Sequence, residues 1–253
     1  MYKIFIDAGH GGNDPGAVNE FTQEKIINLN VSLKLSELLI FNGFDVKMSR
    51  DMDIPVSLEN RSKKANEWQA NLFLSIHHNA SANGLAQGYQ LIHGMNSLQG
   101  KLFSGILEEE FKKIGQVKNA VYSRSLRSNQ NVDYYSVIRN SNMTTIITEF
   151  AFLDNVEDYK KINTIEKQHQ EAEAVAKAVC SYYNLVYTPI GGHKTFTDIN
   201  KCSDWARESI ESLYLLGIFK GDEHGKFNPR KICDRETLAV VIDRVLKYIK
   251  NNK

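Results

Sequence analysis

Short apolar, β-branched segments alternate with longer segments of helical periodicity over residues 1–187, and this alternation limits the possible folds most strongly. The predicted strands are residues 3–7, 44–49, 71–76, 88–93 and 144–150. The predicted helices are residues 23–41, 57–69, 97–113 and 164–185. Because strands that are joined through helices usually pair in parallel, we predict an α/β fold with a mostly parallel, twisted sheet flanked by helices.

Two segments of this unit need a closer description: the first predicted helix and the polar stretch 116–135. In the first predicted helix, apolar residues recur at Ile26, Leu29, Leu33 and Ile40, at spacings of three, four or a multiple of these, which is the periodicity of a helix. The polar stretch 116–135, which contains several Tyr and Asn residues, shows no clear period and receives no predicted element.

A second unit follows where the apolar periodicity lapses, in the Pro- and Gly-containing segment TPIGG. Beyond it, two helical patterns, residues 206–216 and 235–250, flank a turn-rich segment. We therefore predict a domain at 1–187, a linker at 188–193 and a small all-α C-terminal module at 194–253.

Composition excludes several classes of protein. The chain has 31 Lys and Arg against 30 Asp and Glu, so it lacks the basic excess of a general nucleic-acid binder. No apolar stretch approaches the length of about 18 residues that a membrane span needs, and the N-terminus does not resemble a signal peptide. The three cysteines, Cys180, Cys202 and Cys233, are too scattered for a disulfide framework. We expect a protein made in the cytoplasm without a signal peptide.

Ionisable residues lie at the ends of three predicted strands: His10 after the first, His77 and His78 after the third, and Glu149 at the end of the fifth. Glu24 lies in the first turn of the first helix. The carboxyl ends of strands in an open α/β sheet converge on one crevice, and two imidazoles, a carboxylate and an open fourth position describe a catalytic zinc site. Neighbouring residues that leave a strand point to opposite faces, so at most one of His77 and His78 reaches the metal.

Each of these residues also has a purely structural interpretation. His10 fits a polar position in a glycine-rich turn, and Glu24 fits a helix-start carboxylate that favours the macrodipole. Glu149 follows apolar and β-branched residues, so it also fits a buried structural partner.

Several separated motifs resemble, in order and spacing, the zinc-dependent N-acetylmuramoyl-L-alanine amidases of the amidase 3 family. They are FIDAGHGGNDPGA, Glu24, VKMSRD, ENRSKKANEWQANLFLSIHHNA and ITEFAFLDN, and together they cover roughly residues 1–185. The resemblance implies that His10, Glu24 and His77 bind Zn²⁺ and that Glu149 is the catalytic glutamate. The chain departs from the family pattern at Ala151, which replaces a glycine, and in lacking a proline shortly before this strand.

The reaction that the resemblance implies is hydrolysis of the amide between the lactyl carboxyl of N-acetylmuramic acid and the L-alanine of the stem peptide in peptidoglycan. Asn79 and Arg61 are candidates to orient the ligands or the substrate. For Arg61, a solvated helix face is the alternative interpretation.

The second unit resembles an S-layer homology motif in the segments FTDI, WARESIESLYLLGIFKG and GKFNPRKICDRET. The resemblance implies binding to a secondary cell-wall polymer through Trp205 and Arg235, with Asp234 in place of the usual threonine. A plain helical hairpin with a core tryptophan is the alternative. The family commonly carries three motifs and this chain has one, so we expect association of the C-terminal modules into a closed homo-oligomer such as a trimer.

A wall-degrading domain joined to a wall-binding module predicts a peptidoglycan hydrolase that acts on the cell wall after release, as a phage endolysin of a Gram-positive host does. A host-encoded autolysin or a spore or mother-cell lytic amidase is the alternative. A non-catalytic peptidoglycan binder and a zinc peptidase acting within the stem peptide are weaker alternatives.

Overall fold

The computed structural model describes residues 1–81, 83–190 and 196–251. The chain divides into two compact units, Met1–Tyr187 and Thr188–Lys253, and each is described by itself. The predicted linker at 188–193 lies partly outside the described residues.

The first unit is built on a six-stranded sheet with the strand order β2-β1-β3-β8-β4-β5. The eight strands of the unit are β1 (Lys3–Ala8), β2 (Asp45–Met48), β3 (Leu72–Asn79), β4 (Tyr89–His93), β5 (Lys118–Tyr122), β6 (Ser125–Leu126), β7 (Asn129–Asp133) and β8 (Thr144–Phe152). Strands β2, β1, β3 and β8 are parallel, as are β4 and β5, whereas β4 runs antiparallel to β8. The prediction of a mostly parallel α/β sheet is confirmed.

Helices cover the sheet on both faces. They are α1 (Glu24–Phe41), α2 (Leu58–Glu67), α3 (Leu98–Lys113), α4 (Ser136–Arg139), α5 (Val156–Tyr159) and α6 (Ile165–Tyr182). Helix α6 packs between α1 and α3, while α2 packs with α4. One core cluster joins Phe5, Phe73 and Ile147 of the sheet to Ala65 of α2 and Val137 of α4.

Three of these helices begin directly after a residue whose side chain caps them. Ser57, Ser97 and Thr164 precede α2, α3 and α6, and each hydroxyl accepts a hydrogen bond from the backbone N–H three residues later. Such a cap satisfies one of the N–H groups that a helix start leaves without a partner. These caps explain why the three helices begin next to the first residues predicted for them.

The apolar residues whose spacing predicted α1 lie mostly outside its buried face. Ile26, Leu33 and Ile40 are exposed, while the buried residues of this helix are Glu24, Ile27, Asn28, Val31, Ser32, Leu35, Leu38 and Leu39. The helix is apolar on much of its circumference, and its buried face includes three polar residues at spacings of four. A search for an apolar stripe therefore selects the wrong side of the helix.

The stretch 116–135, for which the sequence predicts no helix or strand, contains β5, β6 and β7. Strand β5 is at the edge of the sheet and β6 pairs only with β7 in a two-stranded sheet. Their residues are exposed or half-buried, so they carry little of the apolar alternation from which strands are predicted.

The second unit contains a short 3₁₀ turn (Ile199–Lys201) and two helices, α7 (Asp204–Leu215) and α8 (Arg235–Asn251). Phe196, Cys202 and Ile210 form its buried cluster. The buried carboxylate of Asp198 accepts hydrogen bonds from the backbone N–H groups of Phe227 at 2.8 Å and Asn228 at 3.0 Å. It thereby ties the start of the unit to the loop between the helices.

None of the helices in the described part of the chain combines the length and the apolar character that a membrane crossing requires.

Candidate active site

The loop that follows β1 is held in place by the buried side chain of Arg61, from α2. Its Nη1 lies 2.6 Å from the Asp7 carboxylate and donates to the carbonyl of Ala8, and its Nη2 donates to the carbonyl of His10 at 2.8 Å. Only 4% of Arg61 is exposed, so the side chain is not on a solvated helix face. Its contacts are with the segment that carries His10.

Arg50, at the end of β2, holds the same loop from another side. Its guanidinium donates to the carbonyls of Ala8, Gly9 and Lys25. Burial, together with the positive charge of Arg61, lowers the pKa of Arg50. Arg50 was not among the predicted site residues. The signal that could have identified it is its position as a charged residue directly after a predicted strand.

His10, Glu24 and His77 are brought together at the carboxyl ends of β1 and β3. His10 Nε2 lies 3.0 Å from Glu24 Oε2, and His77 Nδ1 lies 3.0 Å from Glu24 Oε1. The two imidazole rings are 4.9 Å apart and nearly perpendicular. One candidate ligand atom from each residue lies within 4.8 Å of the others, which is the separation expected of groups able to hold one metal ion.

Two glycines make room for this cluster. A Cβ atom on Gly9 would lie 2.2 Å from the His77 ring, and one on Gly16 would lie 2.3 Å from Glu24 Oε2. His10 itself has a φ of 60°, a conformation that most residues avoid. The glycine-rich segment is therefore required by the close approach of the side chains as well as by the turn.

Hydrogen bonds within the cluster shift the pKa values of its members. Burial by itself disfavours protonated His10, but hydrogen bonds to Glu24 and Asp14 outweigh it and raise the pKa of His10 to about 9. Burial likewise disfavours ionised Glu24, yet hydrogen bonds from His10 and His77 hold the pKa of this carboxyl well below its usual range. The carboxylate of Asp14 lies 2.8 Å from His10 Nδ1 and orients that ring.

Glu149 lies beside the cluster on β8, opposite His77 in the strand register. Its Oε2 atom is buried and has no hydrogen-bond partner among the described residues. Burial raises the pKa of Glu149 to about 7, with a further contribution from the negative charge of Glu24, while His77 opposes the shift. A carboxyl group with this pKa and an unpaired oxygen is suited to accept and release protons near neutrality.

The side chain of His78 is not part of the cluster, although this residue follows His77 directly. Its ring is buried, with Nδ1 2.8 Å from Asn28 Oδ1 and Nε2 3.0 Å from Glu171 Oε2. Neither Asn28 nor Glu171 was identified from the sequence, because both lie inside helices and carry no motif of their own.

Asn79 is the last residue of β3, the strand that pairs with the Glu149 strand β8. Its amide donates to Gln90 Oε1 at 3.2 Å, and Gln90 is paired with Glu149 in the register of β4 and β8. The Tyr122 hydroxyl lies near the same oxygen and 2.9 Å from the hydroxyl of Tyr135. These residues form a polar wall. Asn79 was a candidate from the sequence, whereas Gln90 and the two tyrosines were missed, because the wall depends on the antiparallel placement of β4.

A cavity of about 440 Å³ opens beside His10. This cleft is walled by Asp14 of the β1 loop, by Pro55 and Val56 before α2, and by Arg61 of α2. Among the cluster residues, His10 lines the cleft.

The two residues predicted to bind a wall polymer belong to the second unit. Trp205, in the first turn of α7, is 86% exposed, which excludes a role as a core tryptophan. Arg235 is the first residue of α8 and is exposed.

The fold and this edge of the sheet define an α/β protein with a candidate metal-dependent hydrolytic site. The family model of N-acetylmuramoyl-L-alanine amidases, Amidase_3, matches residues 4–181, and the S-layer homology domain model matches residues 195–239. The chain belongs to the N-acetylmuramoyl-L-alanine amidase family and carries an S-layer homology domain, which confirms both resemblances.

Individual relatives match over most of the first unit. A sporulation-specific N-acetylmuramoyl-L-alanine amidase of Bacillus subtilis is 33% identical over 198 residues, covering 76% of this chain and 72% of its own. An endolysin of Bacillus phage SPP1 is 31% identical over 188 residues, covering 72% and 66%. The crystal structure of an N-acetylmuramoyl-L-alanine amidase from Clostridium difficile 630 superposes with a TM-score of 0.66 at 30% identity, covering 72% of this chain and 97% of that one.

Proposed function

We propose that the protein is a zinc-dependent N-acetylmuramoyl-L-alanine amidase that cleaves peptidoglycan between N-acetylmuramic acid and the L-alanine of the stem peptide. The observation that carries this proposal is the cluster of His10, Glu24 and His77 beside the unpaired carboxylate oxygen of Glu149. Family membership supports the choice of reaction.

The residues present fit zinc. Two imidazole nitrogens and one carboxylate oxygen are the donor types that catalytic zinc sites use, and three protein donors leave a position for water or substrate. His10, Glu24 and His77 would hold the ion. Bound zinc would lower the pKa of a water molecule to about 7 and polarise the scissile carbonyl.

Glu149 supplies the proton transfers of the reaction. Its unpaired oxygen takes a proton from the attacking water as the new C–O bond forms, and it then protonates the nitrogen of the departing L-alanine as the C–N bond breaks. The carboxyl group returns to its starting state, so one residue serves as base and then as acid.

Arg61 and Asn79 position other groups and take no part in the proton transfers. Arg61 binds the carbonyl oxygens on both sides of Gly9 and so fixes the approach of His10 to Glu24. Asn79 joins the polar wall with Gln90, and we assign to this wall the recognition of the polar substrate next to Glu149.

The S-layer homology domain supports action at the cell wall, with Trp205 and Arg235 as the residues that bind a secondary wall polymer. For the biological setting we propose a phage endolysin, as in the phage relative at 31% identity. A host-encoded spore or mother-cell amidase is the alternative, because the sporulation-specific relative is 33% identical.

Replacing His77 with Ala is expected to abolish bound zinc, whereas His78→Ala should retain one zinc per chain at saturating zinc. The reason is that His77 faces Glu24 and His10, while the ring of His78 is bonded to Asn28 and Glu171. Metal analysis after gel filtration measures the difference. Equal zinc content in the two variants would overturn the ligand assignment.

Glu149→Gln is expected to bind zinc normally but to lose wall-degrading activity by a factor of about 100 or more, because only the proton acceptor is removed. Turbidity loss of purified walls gives the rate, and mass spectrometry of the wild-type digest identifies the bond. Intact stem peptides with a free L-alanine amine are expected. Cleavage within the stem peptide would indicate a peptidase instead, and a lytic Glu149→Gln variant would remove the proposed role.

Trp205→Ala and Arg235→Ala are each expected to reduce binding to whole walls about tenfold, equivalent to about 1.4 kcal/mol, while cleavage of dissolved muropeptide stays unchanged. Co-sedimentation with walls measures binding. Lys247→Ala is a matched control, since it removes another exposed cation of α8 that is paired only with Asp243. Equal binding by the Arg235 and Lys247 variants would contradict a specific polymer site.

The C-terminal modules are expected to associate, because α8 exposes an apolar stripe. Leu238, Ile242 and Leu246 are four residues apart and 51%, 51% and 61% exposed. Light scattering should show an oligomer that Ile242→Glu converts to a monomer, while Leu98→Glu, at an exposed leucine of the first unit, leaves it intact. A monomeric wild-type chain at roughly 50 μM would rule out association of useful strength.

A further inference from the structure

A chain of buried polar side chains leads from Glu24 into the interior of the first unit. Glu24 Oε1 accepts from Asn28 Nδ2 at 3.0 Å, Asn28 Oδ1 lies 2.8 Å from His78 Nδ1, and His78 Nε2 lies 3.0 Å from Glu171 Oε2. Asn28, His78 and Glu171 are all at most 1% exposed. They connect helix α1, strand β3 and helix α6.

The acceptors around Asn28 determine how its amide is turned. The nitrogen faces the carboxylate of Glu24 and the carbonyl of Gly9, at 3.0 Å and 3.3 Å, and neither of these groups can donate. The amide oxygen must therefore face His78. A rotation of the amide by half a turn would set oxygen against oxygen at Glu24, which is unfavourable in a buried site.

His78 prevents that rotation. Because Asn28 presents an oxygen, Nδ1 of His78 must carry a hydrogen and donate it. The other nitrogen, Nε2, shares one proton with the carboxyl of Glu171, and this contact fixes the plane of the ring. The backbone N–H of His78 also donates to Glu24 Oε1 at 3.0 Å, so the same residue supports the carboxylate directly and through Asn28.

The fold alone does not account for this arrangement. Glu171 Oε1 is buried without a hydrogen-bond partner in the part of the chain that the structure describes, and such an atom costs about 1–3 kcal/mol. Apolar residues of similar size often stabilise an interior as well as a buried ion pair does or better. The chain of polar side chains begins at Glu24, a candidate metal ligand. Its fixed hydrogen-bond directions therefore bear on how the Glu24 carboxylate is oriented.

We propose that Asn28, His78 and Glu171 form a positioning relay that fixes the Glu24 carboxylate in the orientation in which it binds the metal. The proposal rests on the zinc-dependent function proposed above. The relay residues are positioning residues, since none of them reaches the cleft. Loss of such supporting hydrogen bonds typically weakens metal binding 10–100-fold.

The test measures zinc dissociation constants by competition with a chromophoric chelator, using the full chain. Asn28→Leu and His78→Phe should weaken zinc binding about 10–100-fold, while both still take up one zinc at saturation. Glu171→Leu should weaken it about tenfold. Glu171→Gln should stay within about threefold of the wild type, because its amide can donate to His78 Nε2 and keep the ring in place.

The chain offers a matched control on the same two helices. Asn30 of α1 donates to Gln168 of α6 at 3.0 Å, and neither residue bonds to Glu24, Asn28, His78 or Glu171. Gln168→Leu should lower the free energy of unfolding, measured with urea in the presence of a chelator, without changing zinc affinity. This separates positioning from general loss of stability.

The outcomes distinguish the relay from the function on which it rests. A wild type that binds no zinc would overturn both. A wild type that binds zinc, with relay variants within twofold of it or with Gln168→Leu weakened as much as His78→Phe, would overturn the relay alone. If His78→Phe does not fold, the comparison of Glu171→Gln with Glu171→Leu decides by the same criteria.

Discussion

The buried ion pair between Arg61 and Asp7 is the interaction on which the rest of the site depends. Both residues are at most 4% exposed, and the guanidinium also binds the carbonyl oxygens of Ala8 and His10. Removing one partner of such a pair typically costs about 3–5 kcal/mol, because it leaves a charge buried without compensation. The same donors that balance Asp7 determine the path of the β1 loop. Arg61 therefore contributes both to the stability of the sheet edge and to the placement of His10.

Two glycines and a polar residue of α1 also support the cluster of His10, Glu24 and His77. Gly9 allows His77 to approach the loop, and Gly16 allows His10 and Glu24 to approach each other. On the opposite side, α1 turns Asn28 toward the sheet, four residues after Glu24. Helix α1 therefore has a partly polar buried face, an arrangement that lowers the apolar area it buries but brings hydrogen-bond donors to the carboxylate. The cluster is supported from the loop side and from the interior.

Much of this could be predicted from the sequence, and the failures share a physical cause. The strand–helix alternation indicated the sheet, and residues that follow strands indicated His10, His77 and Glu149, because parallel strands end at one edge. The apolar residues that predicted α1 lie mostly outside its buried face, because that face includes the hydrogen-bonded pair Glu24 and Asn28. Gln90 was missed because β4 runs antiparallel, so its amino end meets the carboxyl end of β8. Arg50 was missed although it directly follows a predicted strand, because its partners Ala8 and Gly9 lie far away in the sequence. Asn28 and Glu171 were missed because they lie inside helices and carry no motif of their own.

The two carboxylates of the site, Glu24 and Glu149, lie at one sheet edge in opposite electrostatic environments. Glu24 receives hydrogen bonds from two imidazoles, two backbone N–H groups and Asn28, and its pKa is held well below its usual range. Glu149 is close by, but its Oε2 atom has no partner among the described residues, and burial raises its pKa to about 7. Environments that drive the pKa values of neighbouring carboxyl groups apart assign them different roles. The donors around Glu24 thus favour its ionised form, which suits the metal ligand that we propose, and the unpaired Oε2 atom of Glu149 suits the proton exchange that we propose for it.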